Sequence, residues 1–155
     1  MMKPKAILLA MALFFFGIAL GFAENPHMGK WKLNPAKSDL GPGAPKNTTV
    51  IYEAAGEKVK VTVDGVGSDG KPIHNEWTGK FDGKDYPVTG DANSDERSYT
   101  KIDERTLGFN FKKGGKRVAG GRIEVSADGR HRTVTVRGLG PEGKKFMSTT
   151  VYDKE

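Results

Sequence analysis

The chain has 155 residues, with 25 Lys+Arg against 19 Asp+Glu, three histidines and no cysteine. That length fits one domain, and the lack of cysteine excludes disulfide staples, thiol nucleophiles and lipid attachment through a cysteine. The cations are scattered among acids, with no platform of interleaved aromatic and basic residues, so nucleic acid is not an expected partner.

The first element in chain order is a targeting segment. Lys3 and Lys5 precede an uncharged, mostly apolar run from Ala6 to Phe22, and Gly21-Phe22-Ala23 places small residues where a signal peptidase cuts. Residues 1–23 are therefore expected to be a signal peptide cleaved before Glu24. The run is shorter than the roughly 20 apolar residues of a spanning helix, so no stable membrane span is expected after its removal; a retained anchor is the alternative. The expected location is the periplasm or the medium. A cysteine-free exported chain fits a bacterial source better than a disulfide-rich animal module.

Residues 24–155 are expected to form a single all-β domain. "SDGK" (Ser68 to Lys71), "FDGK" (Phe81 to Lys84), "KGGK" (Lys113 to Lys116), "ADGR" (Ala127 to Arg130) and "PEGK" (Pro141 to Lys144) punctuate it. Asp-Gly and Gly-Gly provide the left-handed backbone that tight hairpins require. Between them apolar and polar residues alternate: Val59, Val61, Val63; Ile73, Trp77, Phe81; Leu107, Phe109, Phe111; Val134, Val136. One apolar and one wet face per strand marks antiparallel pairing. The pattern predicts strands near 28–33, 47–54, 58–66, 72–81, 84–88, 96–102, 106–112, 116–126, 130–138 and 144–153. One helical turn is expected at Pro35 to Leu40, with Asn34 as its cap. A meander of about 8–10 short strands manages its edges best by closing into a barrel, with an open two-sheet sandwich as the alternative. Gly79, Gly108, Gly120, Gly121 and Gly138 lie inside strands, where a barrel uses glycine to bend.

Gly29-Lys30-Trp31 on the first strand of an exported all-β domain resembles the Gly-x-Trp signature of the lipocalins and the wider calycin superfamily. The resemblance implies that Trp31 plugs the closed end of the barrel. It implies that an arginine from a late strand, Arg132 or Arg137, lies over it. It also implies that the long connection Asn34 to Lys46 arches over an open mouth. The middle lipocalin motif has only a partial echo in "KDYP" (Lys84 to Pro87).

No catalytic or metal constellation is present in the sequence. His27 follows Pro26, whose missing amide hydrogen rules out an amino-terminal copper site. His74 and Glu76 are expected to form an exposed pair, and His131 is expected to be solvated between Arg130 and Arg132. Asp91, Asn93 and Asp95 alternate like a calcium loop, but Glu96 stands where that loop needs glycine. No metal, cofactor or catalysis is therefore expected. The candidate cavity wall is Tyr52, Ile73, Trp77, Phe81, Phe109 and Phe111, with Trp31 as structural plug, and small residues such as Ala119 and Gly121 leave room opposite. The expected function is that of a monomeric exported barrel binding a small, largely apolar ligand. An envelope interaction or inhibitor module with a filled barrel is the alternative, and a cavity enzyme of isomerase or lyase type is third.

Overall fold

Alternation and turn residues together produce ten strands. The structure, a computed structural model, describes residues 25–41, 44–139 and 143–155; the expected signal peptide and its cleavage point lie outside them. The strands are β1 (Gly29–Leu33), β2 (Lys46–Ala55), β3 (Lys58–Val66), β4 (Pro72–Gly79), β5 (Tyr86–Thr89), β6 (Glu96–Asp103), β7 (Thr106–Lys113), β8 (Lys116–Val125), β9 (His131–Leu139) and β10 (Lys145–Lys154). Each pairs antiparallel with its neighbours in sequence, and β1 also pairs with β10, Trp31 opposite Lys154 and Leu33 opposite Tyr152. The sheet is thus a closed barrel, and the sandwich alternative falls away.

The turn chemistry is local. The glycine of every predicted motif, Gly70, Gly83, Gly115, Gly129 and Gly143, has positive φ. A sixth tip at Gly56, φ 64°, joins β2 to β3 without an Asp-Gly signal. The strand glycines are explained by close approach. A Cβ on Gly121 would collide with the Thr135 carbonyl and press on the Phe109 ring, and one on Gly79 would meet the Trp77 and Tyr86 rings. Gly121 therefore admits a backbone and an aromatic ring rather than leaving a void, contrary to expectation.

Two stretches differ from the sequence reading. The fifth strand starts two residues late, because the Asp82 carboxylate accepts the Lys84 amide at 3.0 Å and the Tyr86 hydroxyl at 2.8 Å, which holds 82–86 as a turn. β5 then makes only two register pairs on each side, so the wall is thinnest there. The connection after β1 contains a single 3₁₀ turn, Pro35–Lys37, and Asn34 does not cap it. The Asn34 amide instead donates to Asp153 Oδ2 at 2.9 Å. Asp39 exchanges backbone hydrogen bonds with Thr149 at 2.7 and 3.0 Å, and the Val151 amide donates to Ser38 Oγ at 2.9 Å. Residues 34–40 are thus sewn along β10 rather than arching freely, with Leu40 packed against the core.

Candidate functional site

The turns at 56–57, 104–105 and 126–130 lie at the same end of the barrel as the amino-terminal segment 25–28. The segment after β1 and the connections 67–71, 90–95 and 114–115 lie at the other end, the mouth. The interior changes character between the two.

The amino-terminal end is plugged. Trp31 is 0% exposed and donates its indole N–H to the His27 carbonyl at 2.9 Å. Arg132 is the arginine over it, its guanidinium 5.7 Å from the indole centroid and 4.9 and 5.1 Å from the Tyr52 and Tyr152 rings. Planar cations stack on aromatic faces in this way. Its Nε and Nη1 have no hydrogen-bond partner. His27 itself is 1% exposed with both ring nitrogens unpartnered. Burial and then the Arg132 charge pull its pKa down to about 4, so it is neutral at neutral pH. A small cleft of about 130 Å³ beside it is lined by Pro26, Phe81, Lys101, Asp103 and Leu107 among others.

The middle of the barrel is an interlocked set of rings. Of the six candidate residues, Tyr52, Trp77 and Phe109 are buried and Phe81 is half-buried. Trp77 stacks on Phe81 at 6.5 Å and meets Tyr99 edge-on at 4.7 Å, and Tyr99 also touches the Tyr52 and Phe109 rings at 6.5 and 6.4 Å. The Trp77 indole N–H donates to the Arg97 carbonyl at 2.9 Å. Tyr99 is the hub of this cluster, and sequence reading missed it, although it keeps the two-residue alternation of its strand. Burial raises the pKa of Tyr99 and pushes that of Tyr152 up to about 12, so both phenols stay neutral.

Towards the mouth, and along β8 to β10, parts of the inward wall are less completely covered. Phe111, 5.0 Å from Phe109, is half-buried, as are the inward residues Gly121, Val134, Val136 and Ser148. Ile73 is also half-buried but stands outside the core cluster, next to the 67–71 turn and opposite Gly65. Phe111, Val134 and Val136 pack against the core cluster but keep partial exposure, whereas Trp31, Trp77 and Leu107 are sealed. At the mouth end lies Arg97, 4% exposed and not anticipated from sequence. Its guanidinium sits 4.5 Å over the Phe111 ring, and Nη2 lies 3.4 Å from both Asn75 Oδ1 and Asp91 Oδ2. Its Nε has no partner. Asp91 in turn accepts the Ser94 hydroxyl at 2.5 Å and the Asn93 amide at 2.9 Å, so this acidic stretch is organised by its own loop and by Arg97.

The remaining histidines are peripheral. His74 Nδ1 lies 2.5 Å from Asp64 Oδ1 and its Nε2 3.5 Å from Glu76, all on the outer face, and the Asp64 hydrogen bond raises its pKa. His131 is half-buried rather than freely solvated, 2.6 Å from Asp153 Oδ1.

No family model matches the chain, and no curated protein matches it. Among solved structures it is similar to EF1p2_mFAP2b bound to DFHBI, with TM-score 0.51 and 12% identity, covering 84% of this chain and 94% of that one. A redesigned beta barrel, mFAP1, bound to DFHBI, aligns with TM-score 0.43 and 15% identity over 83% of this chain and 95% of that one. Another, b11L5F_LGL, gives TM-score 0.43 and 13% identity over 84% and 92%. At such identity the first likeness speaks for the closed antiparallel barrel. Among the described residues, no helix is long and apolar enough to cross a membrane.

Proposed function

We propose that this chain is an exported, lipocalin-like barrel that binds a small, largely apolar molecule in the mouth half of its lumen, without chemistry of its own. The observation that carries the reading is the contrast along the inward face: Phe111, Val134 and Val136 point inward and are still reached by solvent, whereas Trp31, Trp77 and Leu107 are sealed. Binding sites combine a concave apolar wall with a few fixed polar groups. Phe111, Val134 and Val136 would form the wall. Tyr52, Trp77, Phe81 and Phe109 would be the rigid floor beneath the ligand, and Ile73 would lie at the rim. The solved likeness in which a barrel of this shape holds the small molecule DFHBI is in keeping with this reading. His27 does not favour the enzyme reading, since a general base needs a partner that orients it and His27 has none.

An apolar fluorescent probe tests the proposal. It should bind the purified protein at micromolar concentration, and Val136→Trp, which fills the mouth half, should abolish binding while the barrel stays folded. Unchanged binding to Val136→Trp would place the site elsewhere. If no probe binds, the interaction-module reading takes its place. One surface favours that second reading: Leu139, Phe146 and Met147 are 55%, 42% and 65% exposed beside Lys145 on the last hairpin.

A further inference from the structure

The last hairpin stands apart from the rest of the barrel. From Lys145 to Ser148, β10 pairs with β9 alone; among the described residues, pairing on its other side ends at the Asp39–Thr149 bridge. Leu139 likewise has no partner on β8, whose pairing with β9 stops at Ala119 opposite Gly138. The hairpin therefore runs past the pairing of both neighbours at the mouth, and it is apolar on both faces. Leu139 and Met147, 55% and 65% exposed, share the outer face with Lys145 and Arg137, their cross-strand partners. Phe146, 42% exposed, points the other way, over Gly138, where a Cβ would meet its ring, and it stands outside the core cluster. Of the five exposed large apolar side chains among the described residues, these three and Val66 lie at the mouth end, and Ile102 lies at the other. The charge around the hairpin has one dominant sign. Lys116, Arg117, Arg137, Lys144 and Lys145 are exposed on it and on the start of β8, against one acid of the turn sequence, Glu142. Among the described residues none of these cations takes part in a salt bridge.

We infer that this hairpin docks the barrel on an anionic lipid bilayer, with Leu139, Phe146 and Met147 in the interfacial layer and Arg137, Lys144 and Lys145 at the lipid phosphates. The inference stands independently of any molecule held in the lumen. Exposed apolar groups rimmed by polar ones mark a protein or a membrane contact, and the shape decides for the membrane. A stable protein interface takes roughly 800 Å² from each side, supplied by about 20–30 residues. Three apolar side chains on opposite faces of a projecting hairpin offer no such plane, whereas a fluid surface closes round them from both sides. Lysine and arginine stems lie along apolar surface while their charged ends reach outward to phosphate. Each cation close to an anionic leaflet strengthens binding about fivefold. The acidic 90–95 connection lies at the same end of the barrel, where Asp91 is held by Arg97 and Asp95 accepts the Gly114 amide at 3.0 Å. Contact is therefore confined to the β9–β10 side, with the 90–95 side turned away from the lipid.

Vesicle flotation tests this on residues 24–155, which contain the whole closed barrel. Vesicles of phosphatidylcholine alone are compared with vesicles of three parts phosphatidylcholine to one part phosphatidylglycerol at low salt. The mixed vesicles should be bound at least about tenfold more tightly. Leu139→Asp and Met147→Asp should each weaken that binding about tenfold, and Lys144→Gln combined with Lys145→Gln at least about tenfold. Ile102→Ser, at the far end, should change nothing. The lysine pair decides the matter if an aspartate variant does not fold. Phe146→Trp reports position: its emission should be quenched by mixed vesicles carrying brominated acyl chains, while the sealed Trp31 and Trp77 of the wild type are not. Equal binding to both kinds of vesicle overturns the anionic partner. Binding that survives both aspartate variants overturns this hairpin as the docking element and leaves only the diffuse attraction of a basic protein. Absence of binding to either vesicle overturns the lipid surface altogether, and a dimer in solution that Met147→Asp dissolves would then assign the hairpin to a second copy of the chain.

Discussion

The two halves of this barrel are built from the same strands and solve opposite problems. At the amino-terminal end, Trp31, Arg132, Tyr52 and Tyr152 stack face on cation on face, and His27 closes the end with its carbonyl bonded to the indole. On β8 and β9 the inward residues are smaller, Gly121, Val134 and Val136, and remain half-buried. Large rings fill the lumen and fix the fold; the smaller residues of β8 and β9 hold the wall straight and pack against those rings with part of their surface. Strand sequences that differ little in hydrophobicity thus give one sealed and one less completely covered stretch of inner wall.

The strongest way to break this contrast is Trp31→Ala. Deleting a large, sealed aromatic should cost about 3–5 kcal/mol, measured by denaturant unfolding; a cost below about 1 kcal/mol would mean the plug is not a plug. The second way is pH. His27 has a folded pKa of about 4 and an ordinary value of 6.5, so the unfolded chain binds the extra proton first. The stability it contributes is complete above pH 6.5 and is lost as pH falls from 6.5 towards 4. The shift corresponds to roughly 3 kcal/mol. The difference in unfolding free energy between wild type and His27→Phe should change across that window and be flat above it; parallel curves would mean His27 is not sealed beside Arg132. The third is Val136→Ala, which should cost only about 1 kcal/mol because the valine is already partly solvated. A loss comparable to that at Trp31 would mean that the mouth is packed too. The smallest effect belongs to the outer wall. His74→Ala should stay within about 0.5 kcal/mol at neutral pH, as exposed ion pairs do, and a larger loss would give that face a structural role.

Much of this was legible in the residues. Asp-Gly and Gly-Gly tips encode their own left-handed backbone, and alternating Val59, Val61 and Val63 encode one buried face, so strand positions follow from local chemistry. The closed barrel and the fate of Trp31 follow from that frame. Alternation with Val134 and Val136 already puts Arg132 on the apolar face and Arg137 on the wet one; the β9–β10 register then sets Arg132 opposite Tyr152. What lay beyond reach depends on distant pairing. His27 stands before the first strand, with no periodicity to mark it as buried. Arg97 reads as a surface cation until Asn75 and Asp91, from two other segments, close around it. The sealed and the half-buried rings were indistinguishable because Phe109 and Phe111 are equivalent in pattern, and only the ring packing around Tyr99 separates them.

The seam between β1 and β10 has a kinetic consequence. Nine of the ten neighbouring pairs join strands adjacent in sequence, whereas the tenth brings Leu33 to Tyr152. Hairpins close within microseconds, but a contact across nearly the whole domain must first overcome the entropy of a loop that long. The nine neighbouring pairs can therefore form as a curled, open ribbon before the seam zips, and β1 and β10 are the unpaired edges of that ribbon. Substitutions at the seam act chiefly on how long that ribbon lives, and with it on the interval in which two copies can pair edge to edge, whereas those at the hairpin tips act on how fast it assembles.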